Sequence, residues 1–511
     1  MKFFVSTPLY YTNAPLHLGH AYTTIAADVV ARYKRMQECD VFFLTGTDEH
    51  GSKVEKAAAA AGMEPKEFVD ELIPDIKELW KVLEISYDHF VRTTDDYHER
   101  QVQAVLQKLY DNGDIYKGTY HGWYCLPCES FWTDLQLVEG KCPDCGRAVA
   151  KQSEESYFFK MSKYQGQLLK LFEENKDFVL PHSKREEVLN FFKEGLKDLS
   201  ISRASLKWGI PLPFDSKHVT YVWFDALFNY WTALAHDGDK KRQATFWPAD
   251  VHLMGKEILR FHAVYWPAML FAAGLPAPKS VYAHGWWTVE GKKMGKSWGN
   301  IVDPFEMVEN YGADSFRYFL LRETPFGADG DFSEAALIQR INNDLAGEYG
   351  NLLNRTLVMF ERYSNAFIPP CGPSGEIENV LSRAAEKCVT VYSSKMDCYE
   401  FHHALESVWE FIKEANKYVN DSEPWNLAKN NDPRLATVLA YLAESLRLAT
   451  VLLAPFIPAK ADEAWAQLGY AGLATQQKSA DAKWGCFKPG TKTKRGNVLF
   501  QRVILEPIAP N

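Results

Sequence analysis

Lys2-Phe3-Phe4-Val5-Ser6, a turn carrying Asn13 and Pro15, and then His17-Leu18-Gly19-His20 open the chain. The first run has the apolar, β-rich composition of a core strand. The turn residues interrupt it, and a helix is expected to begin at Gly19. A helix N-terminus that follows a strand offers free backbone amides and a partial positive charge to an anion, and glycine lets a ligand approach the backbone. The two histidines add hydrogen-bond donors suited to a transferring phosphate. Alone, such a string reads equally well as two polar side chains capping a helix.

A second β-rich run at 40–45, with helical patterns around it, extends this unit into a β-α series and predicts a parallel sheet. Residues 99–110 place Val102, Val105, Leu106 and Leu109 at helical spacing, and Asn112-Gly113 supplies the stop. From 116 to about 214 the composition shifts to Trp, Tyr, Cys and Lys, as expected of an insertion with its own small core. Strand-like runs return at 219–224, 251–254 and 281–283, where the sheet is expected to resume. Beyond Asp331 amphipathic patterns at 345–362, 404–419 and 435–453 predict a helical bundle, with Pro455 and Pro458 after the last.

At 511 residues the chain exceeds one core and should form two to four domains. A net charge of -9 argues against a protein that coats nucleic acid non-specifically, and leaves a specific RNA partner open. The apolar stretches at 263–278 and 448–459 are too short and proline-broken for a bilayer span, and the chain opens on a strand, so a cytoplasmic location without a membrane segment is expected.

Nine cysteines include Cys125-Leu126-Pro127-Cys128 and Cys142-Pro143-Asp144-Cys145. This is the spacing of a tetrahedral four-thiolate zinc site, and two close pairs favour metal over a redox dithiol. Four thiolates leave no open position, so Zn2+ here would be structural. Cys39, Cys371, Cys388, Cys398 and Cys486 are expected to be buried reduced thiols.

Gly291-Lys292-Lys293-Met294-Gly295-Lys296-Ser297 is a glycine-flanked segment flexible enough to close and cationic enough to neutralise a leaving pyrophosphate. It is no Walker loop, because that motif needs glycine at Glu290, and no Gly-x-Gly occurs for a dinucleotide fingerprint. The two motifs, in this order and separated by an insertion, resemble the class I aminoacyl-tRNA synthetases, whose signatures are HIGH and KMSKS. They stand here as HLGH and KMGKS. Gly295 replaces the usual serine, removing one hydroxyl that orders the loop while leaving both lysines.

Within that class the chain resembles the methionyl-tRNA synthetases along nearly its whole length, notably at Thr7-Pro8-Leu9-Tyr10-Tyr11, Thr45-Gly46-Thr47-Asp48-Glu49-His50 and Tyr221-Val222-Trp223-Phe224-Asp225-Ala226. The resemblance implies an α/β fold. A Rossmann-type parallel-sheet catalytic domain (1–115 and 215–285) is split by a zinc-knuckle insertion (116–214). The lysine-loop and tRNA-stem region (286–335) and an α-helical bundle anticodon-binding domain (336–511) follow. It implies ligation of methionine to tRNA(Met), initiator included, through methionyl-adenylate.

The implied methionine pocket is Leu9, Tyr11, Trp223, Ala226, Tyr230, Ile258 and His262, with Asp48 holding the ammonium. Aromatic walls suit a polarizable thioether, and a carboxylate suits an ammonium. The implied ATP contacts are His17, Gly19, His20, Gly255, Glu257 (at the ribose), Lys293, Met294, Lys296 and Ser297. His17, His20, Lys293 and Lys296 would stabilise the transition state, normally with Mg2+. Asn351, Arg355 and Trp425 match positions that read the first anticodon base. Because the chain ends soon after the bundle, a monomer is expected. The competing readings are a leucine, isoleucine or valine synthetase, which usually carries a larger editing insertion, and a non-catalytic zinc-containing RNA-binding protein.

Overall fold

The computed structural model describes residues 1–127, 130–132, 137–143, 145–294 and 299–504. Its centre is a parallel sheet of seven strands: β1 (Lys2–Ser6), β2 (Tyr10–Tyr11), β3 (Asp40–Asp48), β4 (His89–Arg92), β5 (Val179–Leu180), β6 (Val251–Gly255) and β7 (Val281–His284). β3 shows why it sits inside: after Asp40 all eight residues are buried, as a strand covered on both faces requires. β1 pairs with it as far as Leu44, and β2 takes up Thr47 and Asp48. β4 lies against β3, where a Cβ on Gly46 would fall 2.0 Å from the Val91 carbonyl oxygen. Only glycine permits that approach.

From β3 the sheet runs through β1, β6 and β7 to β5. Chain order therefore reverses between β1 and β6. In open α/β sheets the crevice outside the carboxyl ends at such a reversal is where ligands bind. Helix α1 (Leu18–Met36) comes after β1 and the two-residue β2, beginning one residue before the expected Gly19.

Two expectations are corrected at the insertion. The run at 219–224 is not one strand: Asp215–Thr220 belongs to a separate three-stranded antiparallel sheet, and the chain turns at Tyr221 into helix α2 (Val222–Leu227). All six α2 residues are buried, so no polar face marks the helical period, and valine with two aromatics imitates a strand. The main sheet resumes only at β6. Conversely, β5 lies within 116–214 yet pairs with β7, so this segment returns a strand to the sheet edge. The same segment builds an antiparallel sheet in which Ile115–Cys125 pairs along ten positions with Ala150–Phe159, and two helices, Gln165–Glu174 and His182–Phe191.

The last third is helical. The pattern at 345–362 is not a single regular helix, since Ile341–Gly350 winds as a π-helix before α3 (Asn351–Tyr363). Then come Glu376–Asp397, α4 (Phe401–Ser422) and α5 (Arg434–Leu453). α5 is long and apolar enough to cross a membrane, but it is the core of the bundle, 83% buried. Its two buried charges are paired with each other, Arg447 donating to both Glu444 oxygens at 2.7 and 2.8 Å. Pro424 opens a short helix, Pro424–Lys429, rather than ending one; α4 is stopped by Glu423 at φ 45°. Of the scattered cysteines only Cys388 is buried. Cys371 and Cys398 are exposed and Cys39 and Cys486 half-buried, because each falls at or beyond the end of a regular element.

The sheet and the bundle share one apolar core, which runs from Phe3 and Ile25 to Tyr392 and Leu453. A buried ion pair pins them. Arg317, on Ala313–Arg322, donates to Asp28 of α1 at 2.7 Å and to the carbonyls of Leu83, Pro455 and Phe456 at 2.9 to 3.0 Å. Burial pushes the Asp28 carboxyl up, but Arg32, Arg317 and Ser86 more than offset it, leaving a pKa of about 2.

Candidate active site

α1 starts with an unusual cap. The Gly19 N–H donates to His17 Nδ1 at 3.1 Å, and the His17 N–H donates to His20 Nδ1 at 3.0 Å. Both Nδ1 atoms are thus acceptors, which assigns each ring as a neutral Nε2–H tautomer. Burial lowers the pKa of both, most for His20, where the neighbouring His17 adds to it; Glu257 acts the other way on His17. A Cβ on Gly19 would lie 3.0 Å from His17 Cε1, so glycine is what lets the imidazole fold over the helix start.

β3 ends at Asp48, 3% exposed and in register with Tyr11. α2 carries Trp223 and Ala226, and the Trp223 ring stacks on Phe261 with centroids 3.9 Å apart. Phe261–Tyr265 is a π-turn, a feature that often marks a functional site. It aims His262 at Tyr230. His262 Nδ1–H donates to the Ile258 carbonyl at 3.0 Å, so Nε2 accepts from the Tyr230 hydroxyl at 2.8 Å. Burial lowers the His262 pKa to about 4, which keeps the ring neutral and the direction of that hydrogen bond fixed.

A buried brace stands behind α2. Asp225 accepts from His50 Nδ1 at 2.6 Å and His98 Nε2 at 2.7 Å. It ties the loop after Asp48 to the helix bearing Trp223. Burial raises the Asp225 pKa, but His50 and His98 outweigh it and the net shift is downward. The His50 shift is upward, the attraction of Asp225 exceeding the cost of burial.

β6 leads into Glu257 and Ile258, and β7 into His284-Gly285-Trp286. Trp287–Val289 then pairs with Lys292–Lys293 across a two-residue hairpin whose Glu290 and Gly291 both have positive φ, 50° and 74°, as a type I′ turn demands. The hairpin carries Lys293 to the cavity mouth.

One cavity of about 540 Å³ at the β1/β6 reversal is lined by Leu9, Tyr11, His17, Gly19, His20, Asp48, Trp223, Ala226, Tyr230, Gly255, Glu257, Ile258, His262, Lys293 and Met294. Every expected small-molecule contact within the described residues thus faces one space. Lys296 and Ser297 lie outside those residues. Sequence reasoning missed Thr23, Lys53, His284 and Trp286, which also line it. His284 ends β7 and Trp286 stands two residues beyond it, so strand-end position was the available signal.

The insertion reaches the same cavity through Pro127 and Cys145. Cys125, Cys142 and Cys145 hold their sulfurs within 4.8 Å of one another, Cys125 and Cys145 3.5 Å apart. A disulfide needs about 2.05 Å. Thiolates around a tetrahedral zinc with bonds of about 2.3 Å stand roughly 3.8 Å apart, so the cluster can hold a metal ion. Cys128, the fourth expected ligand, lies outside the described residues.

In the helical third Asn351 and Arg355 lie one turn apart on α3. Arg355 Nη2 donates to Asn420 of α4 at 3.4 Å, and Trp425 is 44% exposed on the short helix beyond.

The family model "tRNA synthetases class I (M)" matches residues 3–154 and 146–357, and "Anticodon binding domain of methionyl tRNA ligase" matches 368–509. A methionine--tRNA ligase of Caldanaerobacter subterraneus is 53% identical over 508 residues, covering 99% of this chain and 79% of the relative; that of Thermotoga maritima is 47% identical, covering 98% and 80%. The solved Mycobacterium tuberculosis methionyl-tRNA synthetase in complex with methionyl-adenylate superposes with a TM-score of 0.94 at 40% identity, covering 98% of this chain and all of that one. On this agreement of sequence, fold and site, the chain belongs to the class I tRNA synthetases of the methionine branch.

Proposed function

We infer that the chain is a methionine–tRNA ligase, acting with the translation machinery of the cytoplasm. The observation that carries this is the single cavity joining a buried aromatic pocket to a helix N-terminus and a lysine hairpin. Methionine seats its thioether among Trp223, Ala226, Tyr230, Ile258 and His262, with Leu9 and Tyr11 closing the pocket, and its ammonium at Asp48. Its carboxylate oxygen attacks the α-phosphorus of ATP in line. That P–O bond forms as the bond to the bridging oxygen of pyrophosphate breaks, and pyrophosphate leaves with the electron pair.

The chain's own groups act by position and charge. Gly255 and Glu257 take the ribose side of the nucleotide. The neutral His17 and His20 donate Nε2–H hydrogen bonds, and Lys293 and Lys296 bring cations to the leaving group, with Met294 and Ser297 of the same segment at the nucleotide. Mg2+, where bound, supplies further positive charge to the triphosphate. A ribose hydroxyl of the tRNA's terminal adenosine then attacks the acyl carbon, and AMP departs. Asn351, Arg355 and Trp425 are assigned to an anticodon base, the exposed indole offering a stacking face. Cys125, Cys128, Cys142 and Cys145 would hold a zinc ion that would organise the insertion without joining the chemistry, and metal analysis of the purified protein should find one equivalent.

The test is methionine-dependent ATP–pyrophosphate exchange without tRNA. Lys296→Ala is expected to slow it by a factor of roughly 10 to 1,000. Exchange that responds equally to leucine, isoleucine or valine would overturn the methionine assignment.

A further inference from the structure

Trp286 is the second residue beyond β7, half-buried on the cavity wall. Its backbone N–H donates to Asp329 at 2.8 Å, which fixes the residue, and its indole Nε1–H donates to Glu257 Oε2 at 2.7 Å. The Glu257 carboxylate is folded back over the end of β6, 2.5 Å from where a Cβ on Gly255 would stand. Two ammonium groups lie against the indole ring, Lys256 Nζ at 4.3 Å and Lys293 Nζ at 4.4 Å from its centroid.

The two lysines differ in what balances them. Lys256 is held by both oxygens of Asp329, at 2.6 and 2.7 Å. Lys293 has no ion pair with a carboxylate among the described residues, and its charge rests on the π face alone. A cation–π contact at an exposed site is weak compared with an ammonium–phosphate pair in a cleft. An ammonium held this way is kept near the mouth without an anion from which it must be stripped.

We propose that Trp286 is a positioning residue for the nucleotide: its N–H orients Glu257, and its ring holds Lys293 beside the cavity until a triphosphate takes that cation over. This rests on the ATP-dependent reading above. It also predicts that the two functions separate, since phenylalanine keeps a π face and loses the N–H, whereas leucine loses both.

The experiment is pyrophosphate exchange with ATP and methionine varied in turn, on the whole chain and on Trp286→Phe and Trp286→Leu. Trp286→Phe should raise the KM for ATP about 10- to 150-fold, as loss of a hydrogen bond to a charged group does, with kcat within about twofold. Trp286→Leu should show the same rise and a further fall in kcat of about 2- to 5-fold. The methionine KM should not move in either. An unchanged ATP KM in Trp286→Phe overturns the Glu257 half, and a kcat in Trp286→Leu no lower than in Trp286→Phe overturns the lysine half. A rise in both substrates' KM with a lowered melting temperature would mark Trp286 as merely structural. A wild-type chain without methionine-dependent exchange would instead sink the functional reading itself.

Discussion

The buried aromatic pocket and the cationic mouth share a cavity but are made differently. The pocket walls Trp223, Ala226, Tyr230 and His262 are at most 8% exposed, and two of them sit on a helix braced by a buried carboxylate between two histidines. The mouth consists of a helix N-terminus and an exposed hairpin whose lysine rests on an indole. Selecting an uncharged, unbranched side chain requires fixed shape, because one methylene is worth only about 1–3 kcal/mol and a yielding wall would lose it. Stabilising a charge that exists only in flight requires groups that arrive with it.

The sharpest way to break this contrast is Asp48→Asn. It should lower kcat/KM for methionine in pyrophosphate exchange about 100- to 1,000-fold, through loss of a buried charge partner, and leave the ATP KM within about threefold. A matching rise in ATP KM would show that the two regions are one. Next is Trp425→Ala, expected to slow tRNA charging about 10- to 100-fold, in line with loss of a base-stacking face, while exchange stays within about twofold. Equal losses in both assays would mean the fold, not recognition, had been damaged.

The smallest effect is a pH dependence that fails to appear. Because burial holds His17 and His20 below the ordinary imidazole value of about 6.5, both are more nearly neutral at that pH than a free imidazole, His20 the more so. Exchange should therefore stay nearly flat between about pH 8 and 6.5, then fall at lower pH as Nδ1 protonation breaks the cap. A midpoint at 6.5 assigned to either histidine would overturn the tautomers.

Much of this was legible in the residues. β1 matched its expected bounds, and α1 began one position from the expected Gly19, because turn residues and a helix cap are local signals. α2 was misread since a fully buried helix of six residues shows no periodicity. β5 was missed because two residues cannot announce a strand whose partner lies 102 positions away, Val179 against Val281. The His50–Asp225–His98 brace was invisible for the same reason: its members stood in or beside the quoted motifs, but the contacts span 175 and 127 positions. Local chemistry can be read along the chain, whereas a partner chosen by topology cannot.

Arg317 makes four hydrogen bonds, to Asp28, Leu83, Pro455 and Phe456, joining the helix capped by His17 to the turn after the bundle's core helix. A cut on either side of the Ala313–Arg322 helix divides this set: cut after it, the buried guanidinium loses the Pro455 and Phe456 carbonyls; cut before it, Asp28 and the Leu83 carbonyl lose the guanidinium. The molecule should therefore melt as a single calorimetric transition at neutral pH. An RNA spanning from bundle to cavity would meet a rigid gauge, to which the nucleic acid must conform.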